Sequence, residues 1–177
     1  MSRLQTRRVA LIATIALTIV TPRLWGLAPM RLEVRELSDL SRLSPAELEA
    51  LYARSRPGAI PCGRVRGLAL VRPGTKLGPV LSRSAKLAWQ GKVFDADGSS
   101  SINRFFGVKA VRAKVGYGPS WRDGNPALVL DYSQTSKIYE NYRDELREVS
   151  PGIYLGLMFD RSVSPPRLKM YFAIQAL

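Results

Sequence analysis

Histidine is absent from the 177 residues, and cysteine occurs once, at position 62. Without an imidazole there is no Ser-His-Asp or Cys-His relay, and zinc and copper lose their commonest protein ligand. A lone thiol closes no intrachain disulfide. No metal site and no cofactor is therefore expected. Carboxylates are also scarce, 14 against 27 lysines and arginines, so the chain carries a formal net charge of +13. Any proton transfer falls to those few carboxylates, to lysine or tyrosine, or to Cys62 in its Pro-rich loop, which is open to lipidation or reactivity but is expected to be structural, as free cysteines are usually packed.

What is present is unevenly placed. Residues 54–114 hold thirteen lysines and arginines against Asp95 and Asp97 alone, whereas residues 115–177 balance seven against seven. A basic half beside a neutral half attracts phosphate-rich partners, and an anionic membrane surface is the partner expected. Nucleic acid is not expected, because aromatic and basic residues do not interleave in a recognition motif. The oligomeric state has no signal in the sequence.

The charge pattern also frames the N-terminus. Arg3, Arg7 and Arg8 precede an uncharged run over residues 9–20. As a helix that run reaches about 18 Å at ~1.5 Å per residue, short of the ~30 Å hydrocarbon core. Residues 1–30 read as a signal peptide or a membrane anchor, with Thr6-Arg7-Arg8 open to a twin-arginine reading. The arginines before the run keep the N-terminus cytoplasmic and place the rest of the chain in the cell envelope, on the exported side of the cytoplasmic membrane.

Residues 31–62 read as a linker holding one amphipathic helix. Ser44, Pro45 and Glu47 form a capping box with proline at the first helical position, and Leu48, Leu51 and Tyr52 fall on one face. Such a helix is suited to plugging one end of a barrel. Residues 63–177 read as a small antiparallel up-and-down β-barrel of seven or eight strands, mainly β with one or two short accessory helices. Val65, Gly67, Ala69 and Val71 alternate with Arg64 and Arg66. Residues 77–88 have helical spacing, and residues 102–117 read as one long strand bent at Gly107. After the run at 127–132, the next strand is expected to begin at Ile138 or Tyr139. Ser150-Pro151-Gly152-Ile153 fits a type II turn between antiparallel strands. From position 168, Leu168, Met170, Phe172 and Ile174 alternate with more polar residues, the period of a strand with one buried face.

Trp89-Gln90-Gly91-Lys92-Val93-Phe94, Asn103-Arg104 with Gly107, the run at 127–132 and the run at 143–159 occur in an order that resembles an uncharacterised family of bacterial exported proteins. The same order of blocks is similar to calycin-type barrels, the lipocalin and fatty-acid-binding-protein group. That resemblance implies a closed sheet holding a small hydrophobic ligand. The lipocalin Gly-x-Trp is replaced here by Gly63-Arg64-Val65, so no lipocalin ligand residue carries over.

The densest ionisable run is Arg143-Asp144-Glu145-Leu146-Arg147-Glu148. On a strand, Arg143, Glu145 and Arg147 share one face while Asp144 and Leu146 share the other. One face must enter the barrel, so at least one of Arg143, Glu145 and Arg147 is expected to be buried there, paired with a carboxylate such as Asp131 or with Tyr132. Arg143, Glu145, Arg147, Asp131, Tyr132 and Trp89 are accordingly the candidate ligand-binding residues. The function expected is binding of a small hydrophobic or amphipathic ligand. The alternative is a carboxylate-dependent isomerase or hydrolase acting on a hydrophobic substrate, with Asp131, Asp144 or Glu145 as acid or base.

Overall fold

A computed structural model describes residues 33–177, and the expected signal peptide or anchor lies outside them. Among the described residues no helix is long and apolar enough to cross a membrane. Eight strands follow one another: β1 (Gly63–Leu70), β2 (Trp89–Phe94), β3 (Ser100–Phe105), β4 (Val108–Pro119), β5 (Pro126–Asp131), β6 (Tyr142–Ser150), β7 (Ile153–Asp160) and β8 (Arg167–Ala176). Each pairs antiparallel with its neighbour in sequence, and β1 closes onto β8 from Val65↔Ala176 to Leu70↔Tyr171. Closure leaves no sheet edge unpaired.

The turns explain why the strands stop where they do. Gly152 takes φ +71°, as the third position of a type II turn demands, and β6 and β7 pair across it. Phe106 and Gly107 take φ +49° and +84°, the backbone of a two-residue hairpin. The single long strand expected over 102–117 is therefore β3 and β4 folded back on each other. The expected strand start at Ile138 or Tyr139 is also displaced. Residues 133–141 form successive turns with Ile138 83% exposed, and pairing resumes at Tyr142.

Inside the barrel, Val65, Phe94, Ala113, Leu128, Leu130, Leu146, Tyr154, Phe172 and Ile174 form one buried cluster. Burying a side chain of that size contributes ~1.5–3 kcal/mol. Outside, part of the wall is covered as well. A four-residue helix, α1 (Leu37–Leu40), lies against β1 and β8, and α2 (Pro45–Arg54) lies against β6. The capping box of α2 forms as expected: Glu47 N donates to Ser44 Oγ at 3.3 Å and Ser44 N donates to Glu47 Oε2 at 2.8 Å. The helix lies on the wall, however, and plugs neither end. Cover by α1, and by α2 at Tyr171, explains why β8 is buried on both faces, with Tyr171 and Ala173 buried opposite Phe172 and Ile174. Tyr171 donates to Glu49 Oε1 of α2 at 2.9 Å. Cys62, expected to be packed, is exposed.

Candidate functional site

Alternation along β2, β3 and β6 turns Lys92, Asn103 and Asp144 into the barrel. Register brings them together: Lys92 pairs with Asn103, and Asp144 pairs with Leu130, two residues before Tyr132 on the same face. Lys92 Nζ donates to Asn103 Oδ1 (2.8 Å), Tyr132 Oη (2.7 Å) and Asp144 Oδ2 (2.9 Å). The Tyr132 hydroxyl donates to the same Asp144 Oδ2 at 2.7 Å, and Asn103 Nδ2 donates to Tyr132 Oη and to Val111 O. Trp89 Nε1 donates to Asn103 Oδ1 at 2.9 Å. Every N–H and O–H hydrogen of these side chains thus has an acceptor.

One acceptor position is left over. Both bonds to Asp144 go to Oδ2, and among the described residues nothing donates to Oδ1. The Asp144 side chain is 5% exposed and lines the cavity described next. Around it the walls are aromatic. Lys92 Nζ lies 5.5–5.6 Å from the ring centroids of Trp89, Tyr132 and Phe172, within cation–π range.

These groups border a cavity of about 150 Å³, completed by Phe105, Tyr139, Met158 and Met170, all half-buried. Burial pulls the Lys92 ammonium below its usual pKa against the pull of Asp144, and it pushes the Tyr132 hydroxyl well up. One wall depends on a glycine. A Cβ at Gly156 would fall 2.2 Å from Phe172 Cζ, so the phenyl ring rests directly on that strand.

Of the residues expected to form a site, Trp89, Tyr132 and Asp144 line this cavity. The others do not. Arg143, Glu145 and Arg147 are on the outer face of β6, where Arg147 and Glu145 are fully buried beneath α2 and the β4–β5 connection rather than inside the barrel. Arg147 pairs with Asp123, not Asp131 or Tyr132, through Nη1 at 2.8 Å and Nη2 at 2.6 Å. It also donates to the carbonyls of Tyr52, Asn125 and Pro126 and stacks on the Tyr52 ring at 4.3 Å. Glu145 accepts from Ser120 Oγ and Trp121 N, with Arg143 Nε 3.1 Å away. Asp131 pairs with Arg161 at 2.9 Å on the outside. The expectation failed because it allowed burial only inside the barrel, while this strand is also covered from without. Two carboxylates facing one pocket, as acid–base hydrolysis would need, are therefore not assembled here; Asp144 faces the cavity alone of the three.

Burial raises the Glu145 pKa despite its donors and Arg143. The folded chain then holds this proton more tightly than the unfolded one. Its contribution to stability is fully present below the unfolded value of 4.5 and is lost as pH rises through the higher folded value. Glu145→Gln removes the titration. Urea unfolding at about pH 4 and pH 7 should show the variant gaining on the wild type at the higher pH. A difference that stays constant, or moves the other way, would contradict the raised value.

Fold and site together define a closed eight-stranded antiparallel barrel with a buried polar cluster at the floor of an aromatic cavity. The chain is similar in fold to a protein from Thermomonospora curvata known from its crystal structure, with a TM-score of 0.52 and 20% identity, covering 77% of this chain and 89% of that one. No protein-family model matches the chain. No curated protein matches it either.

Proposed function

We propose that the barrel is a calycin-like carrier that binds a small amphipathic molecule in its cavity, the apolar body among the rings and a hydrogen-bond donor on Asp144 Oδ1. The observation that carries this reading is the complete use of every donor in the cluster beside a cavity-lining carboxylate whose Oδ1 accepts from none of the described residues. A ligand hydroxyl or N–H fills that position, whereas a ligand carboxylate would meet an oxygen it repels. An apolar cavity of about 150 Å³ holds a benzene-sized body, which fits the volume here. With residues 1–30 as signal peptide or anchor, the carrier works on the exported side of the membrane.

Phenol and toluene, nearly equal in shape, test the donor requirement. In titrations followed by tryptophan fluorescence and calorimetry, phenol should bind about tenfold more tightly, since leaving a buried charged acceptor unpaired costs ~1–3 kcal/mol. Toluene binding as well as phenol, or neither binding at millimolar concentration, would refute this assignment.

A further inference from the structure

Up-and-down order places four connections at one end of the barrel: residues 71–88, 106–107, 132–141 and 161–166. Of ten large hydrophobic side chains left exposed among the described residues, seven lie in or beside these connections. The first connection contains α3 (Gly78–Ala85), which buries Gly78 and Ser82; Ser82 Oγ accepts from Val71 N at 2.9 Å. Leu77 at its N-cap, Val80 on its outer side and Leu87 in the turn just past its end are left exposed, Leu87 at 75%. Phe106 N donates to Ala88 O at 3.0 Å, which ties the end of this segment to the β3–β4 tip, where Phe106 is also 75% exposed and Val108 66%. Residues 71–88 carry Arg72, Lys76, Arg83 and Lys86 and no carboxylate, and Lys109 follows the tip. The patch borders the cavity directly, since Trp89 and Phe105, its neighbours in sequence, are cavity walls.

We propose that this end of the barrel docks on an anionic membrane surface, with α3 in the headgroup layer and Phe106 at the acyl boundary. Apolar tips among cations match a bilayer carrying acidic headgroups, where the tips leave water and the cations meet phosphate. A second copy of the chain would instead set one basic surface against another. The docking stands independently of the cavity's ligand, but it would open the cavity beside the lipid from which an apolar molecule is drawn.

The test uses the full chain carrying Cys62→Ser, with an environment-sensitive fluorophore attached through Phe106→Cys or, at the opposite end, through Ala96→Cys in the β2–β3 turn. Vesicles are phosphatidylcholine alone or with about three-tenths phosphatidylglycerol, and both contain a lipid-borne quencher. The label at 106 should shift to the blue and be quenched on the anionic vesicles, with an apparent affinity about tenfold above that for the neutral ones. The label at 96 should stay in water, and Arg83→Glu with Lys86→Glu should abolish the preference for anionic lipid. Equal responses at both positions, as residues 9–20 acting alone would produce, overturn the proposal. So does a response at 106 that ignores lipid charge or arises from protein concentration without vesicles. Phenol binding in solution is unaffected by either outcome, so the two readings fail separately.

Discussion

Lys92→Met is expected to lower the unfolding free energy by roughly 3–5 kcal/mol, because it leaves Asp144 as an uncompensated charge inside the barrel. The ammonium and carboxylate side chains are 2% and 5% exposed, so water cannot replace the missing partner. Against a typical total of ~5–15 kcal/mol, that loss approaches the limit of folding. Asp144→Leu alone should cost a similar amount, since it strands the cation. The double variant Lys92→Met with Asp144→Leu should recover most of the loss, because an apolar pair of similar volume often matches a buried ion pair. Urea unfolding at neutral pH reads all three. A Lys92→Met variant within about 1 kcal/mol of the wild type would mean that the pair is effectively hydrated.

Arg147→Ala carries the second large effect, on the opposite face of the same sheet. It removes a fully buried guanidinium that holds Asp123 with two bonds and supports the carbonyls of Tyr52, Asn125 and Pro126. The expected loss is again about 3–5 kcal/mol. Arg143→Ala serves as the comparison. Its side chain is 12% exposed, and Glu145 keeps its bonds from Ser120 and Trp121 when it is gone, so the loss should stay under about 2 kcal/mol. Thermal unfolding of both variants checks the order. Equal, small shifts would show that α2 and the β4–β5 connection leave β6 readily.

Strand alternation and turn chemistry made the barrel legible. The Pro151-Gly152 turn and the position of β8 are where the residues place them, because both are local properties of the backbone, whereas the single buried face expected of β8 is not, since cover from outside buries residues 171–174 alike. Two boundaries were not legible. A left-handed pair at Phe106-Gly107 looks in sequence like a bulge, and Ile138 and Tyr139 are β-branched and aromatic residues used in turns. The site was half legible for a related reason. The run 143–148 stands out as charged, yet most of its charge packs under α2, through contacts such as Arg147 to Tyr52 across 95 positions of chain. Lys92 and Asn103 were visible within the blocks that carry the family resemblance. Neither stood out as a site residue, since a lone lysine on a basic chain has no signal until its three acceptors are assembled.

The phenyl ring resting on Gly156 gives the cavity a size control at a residue outside its lining. A single hydrogen at the Cα sets how far Phe172 can withdraw, so the first methyl added there would push the ring off the strand and reduce the volume it walls. Cavity volume in this barrel is therefore open to change by drift at a residue outside its lining, with the polar floor of Lys92, Tyr132 and Asp144 left as it is.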